Sequence, residues 1–203
     1  MSNVYSSSGN KDREIWIDDI GATSLDRVTK ILAGIPGGAK KAIGSALKRA
    51  SSSGEAFAAR AVRSEYHIGA SDFKEYTKSS KQISATSAGT EVSIKYHGTH
   101  IPLVRFDTHY DKDGKVVSRV KRSSARETLN NAFTAMFGGV VGIYERKGDA
   151  RFPLRQLYGP ATPQMMDAND DVSESIANHM RETFDKRIEH EMLRVMNGWE
   201  GKQ

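Results

Sequence analysis

The stretch from Gln82 to Lys121, QISATSAGTEVSIKYHGTHIPLVRFDTHYDKDGKVVSRVK, decides the fold class. Within it Val92, Ile94 and Tyr96 alternate with Glu91, Ser93 and Lys95, and a period of two puts the apolar set on one face of a β-strand. Leu103 to Tyr110 and Lys115 to Lys121 flank the pair Asp113-Gly114, which predicts a hairpin with its loop at Asp111 to Gly114. The flanks and tip of that hairpin are charged.

On the N-terminal side the period is helical. Thr23 or Ser24 suits an N-cap, Leu25, Val28, Ile31 and Leu32 follow on one face, and Gly34 closes the helix before Pro36. Pro36 suits the first turn of a second helix, whose apolar face runs Ala39, Ile43, Ala46, Leu47, Ala50, Phe57, Ala58, Ala61 and Val62. Gly44 and the Ser51-Ser52-Ser53-Gly54 run weaken its middle. Its small residues suit close approach of another helix, either in the core or from a neighbouring subunit. A further turn or two is expected from Ser71, around Phe73 and Tyr76.

On the C-terminal side, Ser124 and Glu127 stand at capping-box spacing. Leu129, Ala132, Phe133 and Met136 follow on one face before Gly138 and Gly139, which predicts an inserted helix. Val140 to Glu145 returns to strand, Lys147 to Ala150 turns, and Phe152 to Tyr158 comes back. Pro153 makes that last piece an edge strand or an extended arm, and Pro160 and Pro163 end it. Asp171 with Glu174 then opens a helix marked by Val172, Ile176, Met180, Phe184, Ile188, Met192 and Val195 and stopped by Asn197-Gly198. The order is N-terminal helices, a mainly antiparallel β-sheet with an inserted helix, and a long C-terminal helix, which is an α+β fold. No repeat or domain boundary stands out. Residues 23–198 are therefore expected to form a single domain, with a flexible N-terminal arm at 1–22 and a short tail at 199–203.

The chain has 203 residues, 37% of them hydrophobic and 27% charged, an ordinary globular balance. It has no cysteine, which removes disulfides, thiolate metal sites and thiol nucleophiles. Met1 to Arg13 is polar and Ser-rich, so it reads as neither signal peptide nor anchor. The longest charge-free run, Thr128 to Tyr144, holds two asparagines and three glycines, whereas a membrane-spanning helix needs about 20 mostly apolar residues. No membrane partner is expected. The net charge of +5 combines acidic ends with a basic centre. That pattern fits contact between copies, contact with DNA, or a solvated surface.

Motifs for chemistry fail on inspection. His97, His100 and His109 lie near Asp107 and Asp111, but odd spacing on one strand points side chains to opposite faces, so polar strand-end residues are the better reading than a metal site. In Asp111-Lys112-Asp113-Gly114, placing Gly114 at the sixth position of a calcium loop puts His109 first and Val120 twelfth, where a bidentate Glu is required. The glycines of Gly34 to Gly44 lack phosphate-loop spacing, and the second His of a zinc-protease motif starting at His190-Glu191 would fall on Arg194. No catalytic residue, metal ligand or cofactor is expected, and the chain reads as not an enzyme. The basic set Lys112, Lys115, Arg119, Lys121, Arg122 and Arg126 suits phosphate contact, acidic protein neighbours or solvent.

His100-Ile101-Pro102-Leu103-Val104-Arg105-Phe106, then Ala132-Phe133 before Gly138 to Glu145, then Arg151-Phe152-Pro153-Leu154 leading to Tyr158-Gly159-Pro160, with Arg187-Ile188-Glu189-His190-Glu191 near the end, is a series of motifs that resembles the minor tail protein Z family of phages and prophages. The resemblance covers about half the chain, mainly Ile101 to Met196. It implies a structural virion protein that completes the head-proximal end of a phage tail and helps form the head-tail junction. It implies a homo-oligomeric ring, a hexamer by analogy with related neck proteins. The implied neighbours are tail terminator and tail tube proteins, head connector proteins, and DNA in the lumen. The place implied is the virion tail or neck, reached from the host cytoplasm. The surface expected to meet neighbours comprises Lys115, Arg119, Lys121, Arg122 and Arg126 on the hairpin and Phe152, Pro153, Leu154 and Tyr158 on the arm. The alternative reading is a basic nucleic-acid-binding module contacting phage DNA.

Overall fold

The computed structural model describes residues 10–17, 22–86, 89–168 and 170–198. In chain order the elements are β1 (Asn10–Ile17), α1 (Ala22–Ile31), α2 (Gly38–Glu65), α3 (Ala70–Tyr76), β2 (Thr77–Thr86) and β3 (Gly89–Thr99). A 3₁₀ turn (Leu103–Arg105) precedes β4 (Asp107–Tyr110), β5 (Val116–Arg119), β6 (Glu127–Leu129), β7 (Ala132–Phe137), β8 (Val140–Arg146) and β9 (Leu154–Gln156). Helices α4 (Thr162–Asp167) and α5 (Asp170–Met196) end the chain. The fold is α+β, with three-stranded sheets ordered β1-β3-β2, β4-β5-β6 and β7-β8-β9.

The chain divides into two compact units, each drawn from three stretches. One takes its described residues from 1–13, 59–78 and 96–170, the other from 14–58, 79–95 and 171–203.

In the second unit the apolar stripe of α5 is buried along its length: Val172, Ile176, Met180, Phe184, Ile188 and Met192 are all in the core. Each such side chain contributes roughly 1.5–3 kcal/mol of burial. The opposing face of α2 supplies Ala42, Ala46, Leu47, Ala50, Ser51 and Ala58, which are buried too. A Cβ at Gly54 would overlap Cγ and Sδ of Met180, so the glycine that costs about 1 kcal/mol of helix propensity is what lets α5 come this close. On either side of that crossing Ser53 Oγ hydrogen-bonds His179 Nε2 at 2.8 Å, and Phe57 stacks on the His179 ring at 4.4 Å. The small-residue face of α2 is thus occupied within the chain, which settles between its two readings in favour of the core. The Ser51–Gly54 run does not interrupt the helix.

The first unit contains the other two sheets. Val116, Val117, Ile143, Leu157, Ile101 and Leu103 form its core with Met165 and Met166 of α4. The expected hairpin forms, in antiparallel register from Asp107↔Arg119 to Tyr110↔Val116, although Leu103–Arg105, expected in its first strand, is a 3₁₀ turn. Asp111 closes its loop by accepting from the backbone N–H of Asp113 and Lys115, and Gly114 takes a φ of 72°. β9 is an edge strand, as Pro153 required, and the Phe152–Pro153 bond is cis.

Several expectations need correction. The predicted inserted helix is absent: Glu127–Leu129 and Ala132–Phe137 are strands, and Gly138-Gly139 is a hairpin turn rather than a helix stop. The physical reason is that Phe133, Thr134, Met136 and Phe137 face Tyr144, Ile143, Val141 and Val140, two runs rich in strand-forming residues around a pair able to hold φ of 59° and 80°. Asn10–Ile17, expected within a flexible arm, forms β1 beside β3, with Ile15 in the core. Its Ile15 and Ile17 have the strand period that the arm reading passed over. Pro36 lies in the turn before α2, which starts at Gly38. The capping roles expected of Thr23, Ser24 and Asp171 rest on side chains outside the described residues, as do residues 1–9 of the arm and the tail at 199–203.

Gly54→Val should destabilise the protein by about 1–3 kcal/mol through overpacking against Met180. Adding Met180→Ala should recover part of that loss, read as the midpoint of urea unfolding, whereas purely additive losses would show that the two residues do not share this contact.

Candidate assembly surface

Three of the stretches behind the family resemblance, around His100–Phe106, Ile143 and Leu157–Gly159, are neighbours in space, while Arg187–Glu191 lies on α5 in the other unit. Leu103 N–H donates to Leu157 O at 3.0 Å, Gly159 N–H donates to Ile101 O at 2.7 Å, and Pro102 and Tyr158 form an antiparallel bridge between them. Leu157 N–H also donates to Ile143 O at 2.8 Å, which ties the ladder to β8. Gly159 lies flat on Phe106, where an added Cβ would meet the ring, Cζ at 2.8 Å. The stretches His100–Phe106 and Arg151–Pro160, about fifty residues apart in the chain, therefore build one platform. Of the four arm residues expected to meet neighbours, Phe152 and Pro153 are exposed, Phe152 at 60%. Leu154 and Tyr158 are half-buried in the platform, with Tyr158 Oη donating to Gln156 Oε1 at 3.0 Å. Arg155 pairs with Glu145 across the β8–β9 edge.

The basic set does not form one open face. Asp107 Oδ2 accepts from Arg119 Nε at 3.1 Å and from Arg126 at 3.0 Å, and His109 Nδ1 lies 3.5 Å from its other oxygen. Burial is the largest influence on Asp107 and opposes its ionisation, but Arg126 and Arg119 together outweigh it and hold its pKa below the ordinary value. Burial, then Arg119 and Arg122, push His67 down, and its buried Nε2 has no hydrogen-bond partner among the described residues. Arg122 Nε donates to Arg63 O at 3.0 Å and its N–H to Glu65 O, satisfying carbonyls in the last turn of α2. Lys121 Nζ lies 5.7 Å from the centre of the Tyr66 ring. Lys115 is exposed at the hairpin loop. Arg119, Arg122 and Arg126 are thus each held by a partner within the chain, although Arg122 and Arg126 stay exposed. The histidines weighed as metal ligands have separate surroundings: His97 Nδ1 meets Asp12 at 2.7 Å, His109 sits by Asp107, and His100 is buried. Among the described residues no group of three or more His, Asp or Glu side chains could hold a metal ion.

Sequence reading missed an exposed apolar feature. At the tip of the β7–β8 hairpin Met136, Phe137, Val140 and Val141 are 64, 45, 56 and 40% exposed. Register puts Met136 opposite Val141 and Phe137 opposite Val140, so both faces of the tip are apolar and open. Toward the base Ile143 and Tyr144 are buried on opposite faces, which anchors the hairpin, and the Phe137 ring meets Tyr144 edge-on at 4.9 Å. The available signal was Gly-Gly between two apolar runs, the pattern of a two-residue hairpin loop. The capping-box spacing of Ser124 and Glu127 masked it.

Gly159→Ala should lower the unfolding midpoint more than Ala substitution at exposed Gly148, because the aromatic ring at 159 cannot swing aside as a flexible chain would. Asp107→Asn should cost about 1–3 kcal/mol at neutral pH by leaving Arg119 and Arg126 short of an ionised acceptor. A depressed carboxylate pKa gives stability that is full above its unfolded value and fades as pH falls through the folded one. The wild type should therefore weaken on acidification below about pH 4, and Asp107→Asn should flatten that limb in urea titrations at stepped pH.

No family profile, curated protein or solved structure matches this chain.

Proposed function

We propose that this chain is a structural virion protein that completes the head-proximal end of a phage tail and takes part in the head-tail junction as a homo-oligomeric ring. The observation that carries the reading is the platform. Two of the stretches that resemble the minor tail protein Z family, His100–Phe106 and Arg151–Pro160, pack on each other through the Leu103–Leu157 and Gly159–Ile101 hydrogen bonds, so their co-occurrence in one chain has a structural cause. The protruding apolar tip supports it further, since an exposed patch of this kind marks an interaction site on a protein that works in an assembly. The partners this role requires are copies of itself, tail tube and terminator proteins below, and head connector proteins above. No catalytic step is proposed.

The nucleic-acid reading loses ground because Asp107 holds two of its arginines. Electron microscopy of assembled particles should show a ring of density for this chain at the top of the tail; particles of full length and infectivity that lack it would sink the proposal. The isolated chain should bind duplex DNA weakly, and tight binding that falls steeply with salt would favour the nucleic-acid module instead.

A further inference from the structure

The exposed side of α5 carries a graded stripe. Glu182, Asp185, Glu189, Leu193 and Met196 follow at intervals of three and four residues, all exposed, so they share one face of the helix, acidic for two turns and apolar for the last. Helix α1 widens the apolar end. Arg27 lies 3.7 Å from Glu189, and Gly38 sits against Val195, so the two segments run in the same direction. Ile31 and Leu193, each four residues beyond the Arg27–Glu189 pair, fall one turn further on, and both are exposed. The other partner of the stripe is Lys186, 3.8 Å from Glu182; both pairs are highly exposed and exchange readily with other charges.

The β7–β8 hairpin has the same order of chemistry. Phe137 and Val140 lie on one face of its tip; on that face Tyr144 is buried beneath Phe137, and Arg146, six residues after Val140, is exposed at the base over the Phe133 ring, followed by Lys147. From Val140 to Arg146 the strand spans about 20 Å. From Met196 back to Glu182 the helix spans about 21 Å. Apolar end meets apolar end and cation meets carboxylate at the same separation. A tip of four side chains falls short of the roughly 800 Å² per partner of a stable interface, so a contact must extend along the hairpin, and the charged half of the stripe supplies that extension.

We propose, resting on the assembly reading above, that the β7–β8 hairpin of one copy lies along the α5 stripe of the next, with its tip on Leu193 and Met196 and Arg146 facing Asp185 and Glu182. Hairpin and stripe are different surfaces of the same chain, so the contact is head-to-tail, the kind that repeats around a closed ring rather than ending at a pair.

Because the chain has no cysteine, single thiols test this directly. Full-length Val140→Cys and Leu193→Cys proteins, mixed at up to millimolar concentration under mild oxidation, should give a disulfide-linked dimer several-fold more abundantly than either alone. Arg146→Glu in the first protein should lower that yield several-fold, and Asp185→Arg in the second should restore it. Val140→Cys linking to itself as efficiently as to Leu193→Cys, or no mixed product in solution or in particles carrying both variants, would overturn the contact. The two proposals fail separately. Mixed product from a chain absent from tails would sink the tail role alone, and a chain seen at the tail top without mixed product would sink this interface alone.

Discussion

The missing side chain at Gly54 governs how the second unit packs. A 28-residue helix and a 27-residue helix pack most closely where one of them has no Cβ, and Met180 fills the space so released. The buried alanines of α2 and the aliphatic and aromatic stripe of α5 then interdigitate as small against large, the arrangement that reaches crystal-like density without strain. Ser53, Phe57 and His179 fix the rotation of one helix on the other by a hydrogen bond and a ring stack, which dispersion alone does not direct. The helix pays a local propensity cost over Ser51–Gly54 and recovers it in tertiary contact.

What the sequence showed clearly was whatever a single period could carry. The α5 stripe from Val172 to Met192, the Asp113-Gly114 hairpin and the edge character imposed by Pro153 each depend on near neighbours in the chain, and each is found in the fold. The segment after Ser124 was misread because two local signals competed. Capping-box spacing argued for helix, Gly-Gly between apolar runs argued for a hairpin, and only the pairing of β8 with β9, which completes the sheet, reaches beyond that hairpin. The candidate surface was less legible still. Lys121, Arg122 and Arg126 look like a run of free cations until Asp107, Glu65, Arg63 and Tyr66 are brought beside them, and those partners come from two other segments.

Charge and apolar surface thus have reversed roles from those that composition suggests. Cations gathered around Asp107 brace the β4-β5-β6 sheet and Arg122 braces the end of α2, while the uncharged run from Thr128 to Tyr144 supplies the apolar tip exposed to solvent. A protruding uncharged hairpin is costly for a free monomer, since it exposes apolar surface that water opposes. Within an assembly the same exposure becomes a driving force.

The division of the chain into interleaved stretches bears on the order of events at the ribosome. The acceptor face of α2 is synthesised first, and the helix that covers it follows more than a hundred positions later. Until α5 emerges, Ala46, Leu47, Ala50 and Gly54 lack the helix that covers them, and the second unit closes only once α5 has been made. Subunits in which α5 is damaged would therefore be left with an open apolar groove along α2.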